Sequence, residues 1–217
     1  MSSTDSKSDT SKEKPATPKP AAEKPAPPKP AAEKPAPPEP AAEKPAPPKP
    51  EETLPAFEKE LTDRIVNQFS GDAEVDYVKE NRTKISVKKE KILDVAKFIK
   101  DQTPFDHAES VSGVDYPEDK EIEVVYHLGS YTDNRYSKQV LALSTRAPRE
   151  EVPNPGSDST KLPSLRDIFY SVEFHERECF EMLGVYFEGH PDNRRLLLPE
   201  DWADIPPLRK DFKNKGR

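Results

Sequence analysis

AESVSGVDYPEDKEIEVVYHLGSYTDNRYSKQVLALS, residues 108–144, decides the fold. Its middle run, 120–129, places Ile122, Val124, Tyr126 and Leu128 on one face by strict alternation. The run at 136–144 sets Val140 and Ala142 against Leu141 and Leu143. A period of two is the signature of strands that bury one face. With 108–115 these runs give three consecutive strands. Working towards the N-terminus, Pro104 closes an amphipathic helix over 90–102. Ile92, Leu93, Val95, Ala96 and Ile99 face inward there, and Lys91, Asp94 and Lys97 face outward. Val75 with Tyr77 and Ile85 with Val87 flank Glu80-Asn81-Arg82 as a strand pair. Before them a first helix carries Leu54, Phe57, Leu61, Ile65 and Phe69 at helical spacing, with Thr53 as its N-cap and Gly71 as its stop.

The order helix–strand–strand–helix–strand–strand–strand is that of an α+β fold: a mostly antiparallel sheet with both helices on one face. Residues 54–146 form this domain. A Pro-, Asn- and Gly-containing loop at 147–162 follows, and then a segment at 163–217 without regular strand period. Ser164-Leu165-Arg166-Asp167 resembles a capping box.

Residues 1–53 differ in kind. The unit AAEKPAPPKP occurs at 21–30 and 41–50, AAEKPAPPEP at 31–40, and a degenerate copy, SKEKPATPKP, at 11–20. Proline removes backbone donors and no apolar face exists to bury, so a disordered, extended Pro-rich arm is expected. It serves as a spacer or as a polyproline ligand for a partner. Without an apolar core-forming run it is neither a solenoid nor a targeting peptide. The net charge of −7 argues against a general nucleic-acid binder. No run approaches the length of a membrane-spanning helix. The single cysteine, Cys179, excludes an internal disulfide or an iron–sulfur cluster held by this chain alone.

The charged residues concentrate in SVEFHERECFEMLGVYFEGHPDNRRLLLPEDWADIPPLRKDF, 171–212. A helix over 172–183, capped by Ser171 and stopped by Gly184, puts Cys179, Phe180, Met182 and Leu183 on one arc with Glu176 among them. Arg177, Glu178 and Glu181 fall opposite, with Arg177 and Glu181 spaced for an i,i+4 pair. A carboxylate on an apolar face needs partners, and Arg194 or Arg195 is the expected one for Glu176. A metal site from His175, Glu178 and Glu181 lacks the paired Glu-x-x-His motifs of di-metal bundles. A Cys179–His190 thiol pair competes with the plainer reading of Cys179 as core. Gly184 and Gly189 are isolated, so no phosphate loop exists. The tail from Arg209 to Arg217 is basic but short for an RNA-binding element.

The order Glu176-Arg177-Glu178, Glu181, Gly184, then Phe187-Glu188-Gly189-His190-Pro191, Arg194-Arg195-Leu196 and Pro199, followed by Pro207-Leu208-Arg209-Lys210-Asp211-Phe212, closely resembles the signature of the C (thirty-kilodalton) subunit of NADH:quinone oxidoreductase, respiratory complex I. GVDYPEDKEIEVVYHL at 113–128 extends the resemblance over about 54–212. Phe174-His175 departs from the family's usual Trp-Tyr. The resemblance implies a cofactor-free structural subunit of the hydrophilic arm, an NADH dehydrogenase component in respiratory electron transport coupled to proton translocation. It would sit peripherally on the cytoplasmic side of the membrane. Its partners would be the D subunit and the iron–sulfur B and I subunits, with clusters and quinone in those neighbours. Glu176, Arg177, Glu178, Glu181, Gly184, His190, Pro191, Arg194, Arg195, Arg209, Lys210, Asp211 and Phe212 would be signature or interface residues, with 190–212 as a strap shaped by those neighbours. Similar subunits serve membrane-bound hydrogenases and ferredoxin- or deazaflavin-fed quinone or phenazine reductases. Different in class are an autonomous acid–base enzyme using Glu176, Glu178 and His190, and a nucleic-acid adaptor using the basic tail.

Overall fold

The inward phase expected at 120–129 is present, with Ile122, Val124, Tyr126 and Leu128 completely buried, while Glu123 and Val125 between them are buried on the other face. The structure is a computed structural model that describes residues 56–214. The repeats, the Thr53 cap and residues 215–217 lie outside it. The elements are α1 (Ala56–Gln68), β1 (Ala73–Lys79), β2 (Arg82–Val87), α2 (Ile92–Gln102), β3 (His107–Tyr116), β4 (Glu121–Gly129) and β5 (Val140–Pro148). After these come β6 (Lys161–Pro163), α3 (Glu173–Leu183) and β7 (Tyr186–Glu188). The expected third strand at 136–144 begins later because Asn134–Tyr136 makes a 3-10 turn, capped by the Asp133 carboxylate accepting from the Arg135 amide.

The main sheet has the order β1-β2-β5-β4-β3. Three pairings are antiparallel, whereas β2 runs parallel to β5, with Ile85 opposite Leu143. On the neighbouring strand Leu143 meets Tyr126. These registers bring Ile85, Leu143 and Tyr126 into one row on the inner face. That face packs in one core with Leu61 and Ile65 of α1, Val95 and Ile99 of α2, and Cys179 and Leu183 of α3. The sheet is therefore mixed but mostly antiparallel, and the fold is α+β.

The helix expected over 172–183 is α3, and it joins the other two in the core. It lies against β3, and Gly113 permits the approach: a Cβ there would come within 2.0 Å of Leu183 Cδ1. Residues 163–187 share the core with the sheet through Leu165, Phe169, Val172 and Phe187, so this segment folds with the sheet domain. β6 and β7 form a short parallel pair behind it. On the other face of the sheet Lys84 bridges Asp76 at 3.0 Å and Glu123 at 2.7 Å, and the Ser86 and Ser144 hydroxyls meet at 3.0 Å.

Candidate functional site

The signature helix begins one residue later than its sequence suggests. The Ser171 hydroxyl accepts from the Ala108 amide at 3.2 Å, which ties the 3-10 turn at Tyr170–Val172 to β3, and Val172 occupies the N-cap without a side-chain bond. Glu173 and Glu176 in the first turn suit the positive end of the helix dipole. Gly184, with φ of +86°, ends the helix in the left-handed region that favours glycine.

Glu176 is fully buried, but its partners are neutral groups and not Arg194 or Arg195. Its Oε1 accepts from Tyr126 Oη at 3.0 Å and the Leu165 amide at 2.9 Å, and its Oε2 accepts from Ser164 Oγ at 2.5 Å. His190 Nε2 is 3.9 Å away. Both arginines stay at the surface because the Arg177 side chain and their own strap hold them there. Ser164, read as the start of a helix, makes only a local turn by accepting from the Arg166 amide, and its hydroxyl proton goes to Glu176. Burial pushes the Glu176 carboxyl above its usual range, and the bonds from Ser164, Leu165 and Tyr126 recover only part of the cost. Burial, then the Glu176 charge, also raises Tyr126 well above an ordinary phenol. Cys179 is pushed up to about 12 by burial, with Glu178 and Glu176 adding to it. A thiol of that kind is a core residue and no nucleophile. His190 Nδ1 accepts from the Asp192 amide, so Nε2 carries the proton donated to the Glu173 carbonyl.

This geometry sets an expected result. Glu176→Ala should cost about 3 kcal/mol, because Tyr126, Ser164 and Leu165 each lose their acceptor in the core. Glu176→Gln should cost clearly less, since the amide oxygen can still accept. A raised folded pKa stabilises the protein below the unfolded value near 4.3 and withdraws that stability as pH rises. The glutamine variant should therefore gain on the wild type as pH climbs through the raised pKa. Denaturant titrations from pH 4 to 8 measure this; a pH-independent difference would show that the carboxyl does not titrate there.

The opposite side of α3 builds a clasp. Arg177 and Glu181 do not pair with each other, because both are committed to the strap. Arg177 donates from Nε to the Arg194 carbonyl and from Nη2 to the Arg195 carbonyl, each at 3.0 Å, with Asp192 at 3.5 Å from Nη1. The buried Glu181 carboxylate accepts from the amides of Leu196, Leu197 and Leu198 at 2.8–3.0 Å. One turn of helix thus grips consecutive carbonyls and then consecutive amides of the same segment. Arg194 pairs with Asp192 at 2.9 Å. Arg195 folds back onto the carbonyls of Pro199, Glu200 and Trp202. The strap's carbonyls and amides are thus bonded by side chains of its own chain.

The end of the strap is locked to the sheet. Asp115 at the end of β3 has a completely buried side chain, held by Arg149 at 2.6 and 3.2 Å and by the Lys210 amide at 2.8 Å. Arg149 also meets Asp211 at 2.9 Å. Arg209, expected to reach a neighbour's carboxylates, is buried against its own chain. It donates through Nη2 to the Glu150 carbonyl, while Nε lies 3.7 Å from Asp211. Burial and the nearby Arg149 charge lower its pKa. The Leu208 amide bonds the Met182 carbonyl at 3.0 Å, and the Phe212 ring lies 6.1 Å from Trp202. Lys210 contributes its backbone and leaves its side chain exposed, as Glu178 and Pro191 also are.

Asp115, Arg149, Tyr126, Ser164 and Asp192 belong to these networks but were not among the expected site residues. Asp115 could have been found: it shares the inward phase of β3 opposite Ile122, where a carboxylate demands a cation. Among the described residues, no group of three His, Cys, Asp or Glu side chains is arranged to hold a metal ion, and no helix is long and apolar enough to cross a membrane.

Residues 85–217 match the family model described as respiratory-chain NADH dehydrogenase, 30 kDa subunit. The C subunit of the F420H2 dehydrogenase of Methanosarcina mazei is 38% identical over 131 residues, spanning 60% of this chain and 75% of the relative. The C subunit of the NADH-quinone oxidoreductase of Chlorobium phaeobacteroides is 36% identical over 122 residues, spanning 55% of this chain and 66% of the relative. Among solved structures, a chain of the membrane-bound sulfane sulfur reductase, an archaeal respiratory membrane complex, superposes with a TM-score of 0.57 at 29% identity. The match covers 72% of this chain and 86% of that one. A trypsin-resistant fragment of Nqo5 shares the fold, with a TM-score of 0.50 at 20% identity over 62% of this chain and 97% of the fragment.

Proposed function

The chain belongs to the respiratory-chain NADH dehydrogenase 30 kDa subunit family, and we propose that within such an assembly it is a cofactor-free structural subunit. On this reading it supports the quinone-reducing module, beside the D subunit and the iron–sulfur B and I subunits, on the cytoplasmic side of the membrane. The observation that carries the reading is the use made of the signature charges. Glu176, Arg177, Glu181 and Arg209 are all engaged in holding the chain's own backbone and core. That is the pattern of a rigid scaffold, whereas an acid–base enzyme needs titratable groups that face a substrate. Electron transfer and proton translocation then belong to the assembly.

A second reading concerns the electron donor. The chain is 38% identical to an F420H2 dehydrogenase subunit and 39% identical to an NADH-quinone oxidoreductase subunit, so a deazaflavin and NADH are the two donors to compare. One preparation tests both. The tagged chain is purified from solubilised membranes, its companions are identified by mass spectrometry, and quinone-linked oxidation of NADH and of F420H2 is compared. Co-purification of iron–sulfur subunits is expected, with activity that follows the complex and no visible chromophore on the chain alone. A free chain that turns over a substrate, or binds RNA with steep salt dependence, would overturn the structural reading.

A further inference from the structure

We propose that Tyr170, Phe174, Leu196 and Leu197 form a preorganised docking face for an uncharged, apolar surface on another protein subunit. The inference rests on the reading of the chain as a subunit of an assembly and assigns the residues that make one of its contacts. All four side chains are well exposed: Tyr170 69%, Phe174 58%, Leu196 41% and Leu197 60%. The segments that carry them are linked. Tyr170 and Phe174 are one helical turn apart, and the Arg177 guanidinium, 5.9 Å from the centre of the Phe174 ring, bonds the Arg194 and Arg195 carbonyls that lead into Leu196. Arg166 covers Tyr170 in the same way at 4.9 Å. Aromatic rings interleaved with arginine are the composition that concentrates binding energy at protein interfaces.

Two features define what fits. The first is rigidity: Glu181 pins the amides of Leu196, Leu197 and Leu198, so two exposed leucines ride on a backbone that is already ordered. Docking therefore costs little conformational entropy, which is the advantage of a preformed face. The second is charge. Arg166 is paired with Glu173 at 3.2 Å, and Asp192 meets both Arg177 at 3.5 Å and Arg194 at 2.9 Å. Asp192 thus serves two arginines, Arg195 is bonded to the Pro199, Glu200 and Trp202 carbonyls, and Glu178 is exposed on the same helix. With a chain charge of −7, the face does not suit nucleic acid or an anionic lipid surface. A neutral apolar protein surface needs no further counter-charge and suits it.

The test uses cells that make the complete assembly. A photo-crosslinking p-benzoylphenylalanine replaces Phe174 or Leu197, with Val75 on β1, 41% exposed, as the control position. Adducts to a different subunit from 174 and 197, but not from 75, are expected. In parallel, the double variant Phe174→Asp/Leu197→Asp should fall at least tenfold in its share of the assembly on native electrophoresis. The isolated variant should unfold at the wild-type temperature, and Phe174→Leu/Leu197→Met should assemble normally. Adducts only to lipid, or only to a second copy of this chain, would overturn the proposal, as would normal assembly of the double aspartate variant. Failure of the wild type itself to co-purify with other subunits would instead sink the reading as an assembly subunit.

Discussion

Asp115→Ala is expected to destabilise the chain by about 3–5 kcal/mol, the usual range when one member of a buried ion pair is removed. The loss should exceed that of any other single substitution at the clusters described above. Arg149 depends on this carboxylate, which binds it with both oxygens, and the completely buried Arg209, which has Asp211 at 3.7 Å, feels its charge at longer range. Asp211 would remain, but 41% of its side chain is exposed, and two arginines would share it. Burial alone would raise the Asp115 pKa; the bonds from Arg149 and the Lys210 amide outweigh it and hold the group below the usual carboxylate range. A depressed folded pKa stabilises the protein above the unfolded value near 3.9, and that stability is lost as pH falls through the folded value. The gap between wild type and variant should thus be full at neutral pH and close only in strong acid. Denaturant melts at pH 7 and pH 3 measure it, and a difference below about 1 kcal/mol at pH 7 would mean that water compensates the arginines.

Glu181→Ala should have the next largest effect, with a different signature. Three amides lose one acceptor, and each orphaned buried donor costs about 1–3 kcal/mol. The strap can escape most of that cost by detaching, so the global melt should move less than the sum suggests. Local stability should collapse instead. Hydrogen exchange at Leu196, Leu197 and Leu198 is expected to become fast, and trypsin should cleave after Arg194 and Arg195 in the variant while sparing the wild type. Glu181→Gln should sit between the two, because its single carbonyl oxygen can serve only part of the trio. Unchanged protection at all three amides in Glu181→Ala would show that the strap is held from elsewhere.

Much of the sheet was legible because its physics is local. Alternation at Ile122, Val124, Tyr126 and Leu128 needs only a buried face, and the α2 positions Ile92, Val95, Ala96 and Ile99 need only a helical period. The parallel pairing of β2 with β5 was not legible, since nothing local to Ile85 names Leu143 as its neighbour. At the candidate site the burial of Glu176 was readable from its place on the apolar arc of α3, but its partners were misassigned. A cation was expected to answer the carboxylate, and the fold answered with a phenol, a serine hydroxyl and a main-chain amide. Arg177 and Glu181 were misread for a related reason. Helical spacing permits their pairing, but backbone groups brought in from far along the chain competed for them and won.

The lock between Asp115 and Lys210 joins residues 95 positions apart. Until residues 209–211 have been synthesised, Asp115 faces Arg149 without the strap, and the sheet must wait with its end unfastened. Domains on the ribosome generally form from the N-terminus, and contacts of long sequence separation close late. For this subunit the fastening therefore follows the synthesis of nearly everything it fastens. A chain interrupted just before Arg209 would carry a nearly complete sheet and an open seam, a product that cellular quality control would have to recognise by its loose end.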